Sequence, residues 1–349
     1  MKTRLLLIGV MMMSGLMIQK AQAQVVQMAT VQHGEGMRAF YGVEALKDAV
    51  AAAATGDIIS LSAGQFNAPT INKAVTIQGA GYVISSGNYT AIVGETTVEV
   101  PDGATGLVVE GLHFMGKFTV AGGILCSFAF RKCRMDSLQF SAKIVEGELG
   151  QSKVQYLTYA ETNKFYVHHV VMHEINATNV NQVAVDIDHC VVTGCLRNTV
   201  TAVVRNSLLK NALGTSSCAF YNNVLSQNMW SNYSSTYNYC GGIISTYVSG
   251  NTIWSTSYSY SYNFVHDSYK ALFVNTTHAN TWNEAYDYKL TDDSAAQYIG
   301  DDGTQVGLYG GAVPFSAVLS TPQIVEKTIA TQTDENGMLS VKIKVEAQK

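Results

Sequence analysis

Charge and proline are both scarce in this 349-residue chain: charged residues make up 14% of it and there are 4 prolines. Low charge combined with 47% hydrophobic residues excludes an intrinsically disordered chain, which needs the opposite balance. The surface must be built from uncharged polar groups, and Ser, Thr, Asn and Tyr supply them. Beyond the first residues no apolar run reaches the roughly 18 residues of a membrane-spanning helix. Among the 6 cysteines there is no C-x-x-C pair, so a zinc ribbon is not indicated. Clustered basic residues are also missing, and the net charge of −4 makes nucleic acid and anionic membrane poor partners.

What is present begins with an export signal. Lys2 and Arg4 precede an apolar stretch from Leu5 to Ile18, and Ala21-Gln22-Ala23 supplies a small-residue cleavage site. The expected mature chain starts at Gln24, with its charge moved from −4 to −7 by the loss of Lys2, Arg4 and Lys20. The first cysteine is Cys126, far from the cleavage site, so a lipoprotein is not expected. The protein is therefore read as periplasmic, cell-surface or extracellular, and as not membrane-spanning.

A phrase then recurs: VEGLHF, FRKCRM, VHHVVM, IDHCVV, VRNSLL, FYNNVL and VSGNTI, starting at Val109, Phe130, Val167, Ile187, Val204, Phe220 and Val248. The first and sixth positions are apolar in every copy. The third position favours Gly, Asn and His, residues suited to a tight turn with positive φ. Short apolar strands recurring near every twenty residues are too close for βαβ units. They predict a coil of parallel strands, each turn stacked about 4.8 Å from the last. An earlier copy, IQGAGY at Ile77, sets the start of the stack near residue 58. Val43, Leu46, Ala49 and Val50 form the apolar face of a helix that can cap the open end. Residues 316–349 read as two strands around Asn336-Gly337. The fold expected is thus all-β: a single-stranded right-handed parallel β-helix over 24–315, with an N-terminal capping helix and a C-terminal β-hairpin.

The capping helix, the GDIISLSAG entry strand and the turns at Asn206, Asn222 and Asn223 together resemble the pectin-lyase-like right-handed parallel β-helix superfamily. YIGDDGTQVGLYGGAVPF, residues 298–315, resembles the closing element of exported β-helix proteins of Bacteroidota. The resemblance implies the asparagine ladder of that fold. Its enzymes imply either clustered carboxylates for calcium with a basic residue, or a group of Asp residues; no continuous motif of either kind occurs here.

Candidate chemistry comes from the second repeat position, which points outward. It places Arg131, His168, Asp188, Arg205 and Tyr221 on one face, joined by Tyr166 and Asp186 two residues before their neighbours. A carboxylate between an imidazole and a guanidinium can do acid and base work on a sugar, with Arg131 or Arg205 holding a substrate carboxylate. Alternating charges also stabilise neighbouring strands without any ligand. In STSYSYSYNF, Tyr258, Tyr260 and Tyr262 alternate onto one face suited to sugar C–H surfaces. HHVVMHE lacks the second histidine of a zinc-protease helix, and as a strand it puts His168 and His169 on different sides. No metal is expected there. Cys133 and Cys190, placed two turns apart, are read as buried thiols; pairing of Cys190 with Cys195, or Cys218 with Cys240, stays open.

Three functions fit: a glycan-binding or adhesive surface protein, a polysaccharide lyase or glycoside hydrolase, and an assembly protein pairing through its hairpin. The partner expected is a polysaccharide or glycoconjugate. No cofactor is expected, save calcium in the lyase case, and the oligomeric state is open.

Overall fold

A computed structural model describes residues 26–84, 87–100, 105–122, 125–178, 185–198, 201–212, 217–225 and 285–316, with shorter pieces between 236 and 283 and between 323 and 346. The leader at 1–23, Cys240, Tyr258 and Tyr262 lie outside the described residues.

The fold is a parallel β-solenoid, and the first repeat position sets its register. Val109 lies beside Phe130, then follow Leu149, Val167, Ile187, Val204 and Phe220, each on a strand parallel to the last. All seven side chains are buried. The sixth position stacks a second sheet: Phe114, Met135, Val154, Met172, Val192, Leu209 and Leu225. A third sheet follows after a bend and stacks Phe118, Leu138, Leu157, Ile175, Leu196 and Ala212. The first row, the second from Phe114 to Leu209 and the third from Phe118 to Leu196 meet in one continuous apolar core.

Two repeat assignments change. LGQSKV, from Leu149 to Val154, is a further copy inside the interval read as a loop after Phe130. VSGNTI does not join the stack, because Val248–Ser249 and Thr252–Ile253 pair antiparallel with each other. With the added rung, Cys133 and Cys190 are separated by Ser152 and Val170 and stand three rungs apart. Both thiols are buried and free, as is Cys195; Cys218 is buried too.

The corner between the first two sheets explains the phrase itself. From Gly111 to Asn222 every third-position residue turns with positive φ: Gly111 at 72°, Lys132 at 51°, Gln151 at 48°, His169 at 54°, His189 at 48°, Asn206 at 47° and Asn222 at 56°. The left-handed residue reverses the side-chain alternation, so the fourth position points inward. There a polar ladder forms. The Cys133 N–H donates to Ser152 Oγ at 3.0 Å, Cys190 N–H to Ser207 Oγ at 3.0 Å, and Ser207 N–H to Asn223 Oδ1 at 2.9 Å. These bonds satisfy backbone groups that the sharp corner removes from the sheets. Of the three asparagines expected to share a ladder, only Asn223 does; Asn206 and Asn222 sit at the outward third position.

At the N-terminal end the helix Ala45–Ala52 buries Ala45, Leu46, Ala49 and Val50 against the first rung. Val43, assigned to that apolar face, precedes the helix and is exposed. The strand Met28–His33 pairs antiparallel with Ile58–Leu61, so the first rung has a strand on its outer edge. At the other end, fifth-position Val191, Leu208 and Val224 form a second apolar cluster with Leu272, Phe273, Tyr288, Leu290, Val306, Leu308 and Phe315. Beyond it Gln323–Ile329 and Val341–Glu346 pair antiparallel as a two-stranded sheet of their own. Among the described residues no helix is long and apolar enough to cross a membrane.

Candidate functional site

Residues 300–315 run back along the outward corner as a strap, and the third-position side chains hold it. Asn222 Nδ2 donates to Asp301 Oδ1 at 2.6 Å, while Asp301 N–H donates to Asn222 Oδ1 at 3.0 Å. One rung group further, His189 Nε2 donates to the Gly310 carbonyl at 2.8 Å and His169 Nε2 to the Val313 carbonyl at 3.0 Å. The His169 and His189 rings stack 5.1 Å apart at 8°. Gly311, at φ +73°, passes so close that a Cβ there would lie 3.1 Å from both Asn206 and His189.

Between the strap and the outer face of the first sheet is a cavity of about 680 Å³, walled by Tyr166, His168, His169, Asp188, His189 and Asn206 on the solenoid side. A second hollow of about 460 Å³ lies on the same face and includes Arg131, Glu148, Lys164 and Asp186. Tyr166 borders both.

The stacked face expected from the sequence is present, with different partners. Tyr166 pairs in register with Asp186, His168 with Asp188, and Asp188 with Arg205. His168, however, directs Nε2 to Glu148 Oε1 at 3.1 Å, and Glu148 also accepts from Arg131 Nε and Nη2. Gly150 makes room for this: a Cβ there would be 2.6 Å from His168 Nε2. Arg131 is thus two rungs from His168 and already engaged by a carboxylate. Arg205 lies 3.9 Å from Asp186 and 5.2 Å above the Tyr221 ring, so that ring face is covered. Arg131 is therefore committed to Glu148, while Arg205 keeps a half-exposed guanidinium with one loose ion contact.

Asp188 is the most connected member. Its Oδ1 accepts from Asn206 Nδ2 at 3.2 Å and lies 3.0 Å from His189 Nδ1, close enough for charge attraction but without the alignment of a hydrogen bond. Its Oδ2 takes a long contact of 3.4 Å from the Tyr166 hydroxyl. Burial pushes the Asp188 carboxyl up, but His189 and Asn206 outweigh it and the net shift is down. Glu148 is also lowered, chiefly by Arg131. Burial and Asp188 push the Tyr166 phenol up to about 12. The Tyr166 ring stacks on His168 at 4.5 Å and 18° and remains 37% exposed.

His168 and His169 were expected on different sides. They stand with Nδ1 atoms 3.2 Å apart, because the left-handed turn at His169 breaks the strand alternation. Even so, among the described residues no group of three His, Cys, Asp or Glu side chains is arranged to hold a metal ion. Tyr260 lies on the strand Ser259–Ser261, stacked on Thr236–Asn238.

The two strap histidines titrate in opposite senses. Burial pulls His189 down, but Asp188 and the Gly310 carbonyl outweigh it and raise it above the usual 6.5. Its stabilisation is therefore complete below that value and lost as pH climbs through the raised one. Burial holds His169 below 6.5, so it favours the folded state at higher pH. The stability gap between the native chain and His189→Gln should isolate the first effect. In urea titrations the gap should be wider at about pH 5.5 than at about pH 8.5; a constant gap would remove His189 as a source of pH dependence.

No protein family, curated protein or solved structure matches the chain.

Proposed function

We propose that this is an exported glycan-binding protein whose ligand lies along the outer face of the first sheet, across Tyr166. The observation that carries the reading is the position of that ring: half-exposed, backed by His168, and shared by two adjacent hollows lined with carboxylates, an amide and a hydroxyl. An aromatic platform beside hydrogen-bonding groups suits the apolar face and hydroxyl edge of a sugar. Export rests on the basic and apolar leader at residues 1–23, and kinship with the pectin-lyase-like superfamily rests on the cap, entry strand and Asn-bearing turns.

Binding of a polysaccharide panel by calorimetry tests this. Tyr166→Ala should weaken the best ligand about tenfold or more, the equivalent of about 1.4 kcal/mol. Unchanged affinity would remove the outer face as the site and shift attention to the tyrosine-rich stretch from Tyr258 to Tyr262.

A second reading, cleavage of a polysaccharide, is favoured by one feature: the Tyr166 hydroxyl beside Asp188 in a walled cavity is a proton carrier next to a base. Against it, a hydrolase needs one carboxyl protonated, and the partners of Glu148 and Asp188 hold both ionised. Release of new reducing ends, with and without calcium, separates the two; release lost in Asp188→Ala would make the protein an enzyme.

A further inference from the structure

Three imidazoles sit side by side under the strap, and their partners fix where their protons must be. His169 Nε2 faces the Val313 carbonyl, which can only accept, so that nitrogen carries a proton. His168 Nε2 faces Glu148 Oε1, and Glu148 is held ionised, chiefly by Arg131, so that nitrogen carries a proton too. Both outer nitrogens are donors. The inner two, His168 Nδ1 and His169 Nδ1, stand 3.2 Å apart. With no proton between them two lone pairs face each other, and with two protons two N–H groups and two charges do; one proton makes an N–H···N hydrogen bond. The inventory therefore closes when the two rings together carry three N–H protons and a single positive charge.

A second charge has no partner. The His169 ring is stacked between His189, 5.1 Å away, and Phe315 of the strap, 6.3 Å away, while the Tyr166 ring lies on His168. The carboxylates nearby are already engaged: Glu148 by Arg131 and His168, Asp188 by His189 and Asn206, and Asp302 of the strap adds its pull to His189. Burial first, then the charges of His189 and His168, hold the His169 imidazole below 6.5, against the opposing pull of the Val313 carbonyl. Its contribution to docking is thus complete above 6.5 and lost as the pH falls through the lowered value. His189 behaves oppositely, since its proton strengthens the attraction to Asp188 and the bond to the Gly310 carbonyl.

We propose that the His168–His169 pair is a proton-operated latch: one shared proton keeps strap residues 312–315 closed beside Tyr166, and a second proton releases that limb while His189 keeps Gly310 docked. The limb forms one wall of the cavity through Ala312, Val313 and Pro314, so acidification widens access to the Tyr166 ring. The inference goes beyond the glycan-binding reading and does not depend on it, because the latch works with no ligand present.

Hydrogen exchange on the full chain, corrected for the intrinsic pH dependence of amide exchange, reads the latch through two strap amides. The Phe315 N–H donates to the Leu308 carbonyl at 2.7 Å, and the Gly307 N–H to the Asn222 carbonyl at 2.7 Å. Between about pH 7.5 and about pH 5, Phe315 should lose protection about tenfold or more while Gly307 keeps its own. His169→Gln removes the titrating ring, keeps an amide N–H for the Val313 carbonyl and suits the corner, because Gln151 takes the same turn at φ 48°. In that variant Phe315 should be equally protected at both values. Nitrogen-15 spectra of the native imidazoles test the shared proton directly: at about pH 7.5 both Nε2 atoms should be protonated and the two Nδ1 atoms should share one proton. Constant Phe315 protection in the native chain, a loss that survives His169→Gln, an equal loss at Gly307, or two bare Nδ1 atoms overturns the latch. If the variant fails to dock at either pH, the native exchange and spectra decide alone. The glycan-binding reading stands or falls separately, on Tyr166→Ala.

Discussion

Replacing Phe140 with alanine should cost the fold about 3–5 kcal/mol, read as a lower urea midpoint at unchanged slope. Phe140 is 1% exposed and lies at the centre of an aromatic column. Its ring stacks on Phe128 at 4.8 Å and meets Phe165 at 5.9 Å and Phe130 at 6.1 Å, while Phe118 touches Phe130 at 5.2 Å. These residues come from successive rungs, so the ring joins turns as well as filling one. A solenoid is stabilised by such nearest-neighbour contacts. A backbone fixed by ladder bonds above and below has little freedom to collapse into the void, which places the loss at the upper end for such substitutions. A loss under about 1 kcal/mol would mean that the column repacks, and that the rungs are held together by their backbone ladders alone.

Gly310→Ala should release the strap while leaving the coil folded. A Cβ at Gly310 would lie 1.8 Å from the Gln305 carbonyl oxygen, backbone against side chain, in the bend closed by the Gly310 N–H donating to the Gly307 carbonyl at 3.0 Å. The bend must open, and the Gly310 carbonyl that accepts from His189 moves with it. Proteolysis within residues 300–315 should accelerate about tenfold or more, equivalent to a local loss of about 1.4 kcal/mol or more. Far-ultraviolet circular dichroism should stay that of the native chain. Cleavage at the native rate would show that the strap closes by another path, and that its grip on His189 is not needed to keep it docked.

Much of this architecture was legible because a coil repeats its physics. Inward Val, Ile and Phe at the first position and the turn residue at the third are forced by the corner, so they recur in text. The rung at Leu149 was missed because Gln151 is an unusual left-handed residue, which hid the phrase. With it went Glu148, which precedes Leu149 as Tyr166 precedes Val167 and Asp186 precedes Ile187; the same offset from an apolar first position would have found it. VSGNTI misled in the other direction, since Gly250-Asn251 between two short apolar runs is also a hairpin signal. Residues 298–315 stood out as a closing element, but the way they dock as a strap on the corner was not legible. The strap's contacts join residues 121 and 144 positions apart through backbone carbonyls, and a carbonyl leaves no mark in the sequence.

The fifth repeat position changes character along the stack. It reads His113, Arg134 and Lys153 in the earlier turns, then Val171, Val191, Leu208 and Val224 in the later ones. The later residues are covered by side chains between Leu272 and Phe315, which are made after them. The two halves of the coil consequently mature on different schedules. The earlier turns carry a wettable outer face and can finish as the chain elongates. The later turns present an apolar stripe until about ninety further residues, from Val224 to Phe315, have been synthesised, an interval in which unpartnered surface invites association with other chains. The segment ending at Phe315 is therefore the element whose arrival ends that exposure.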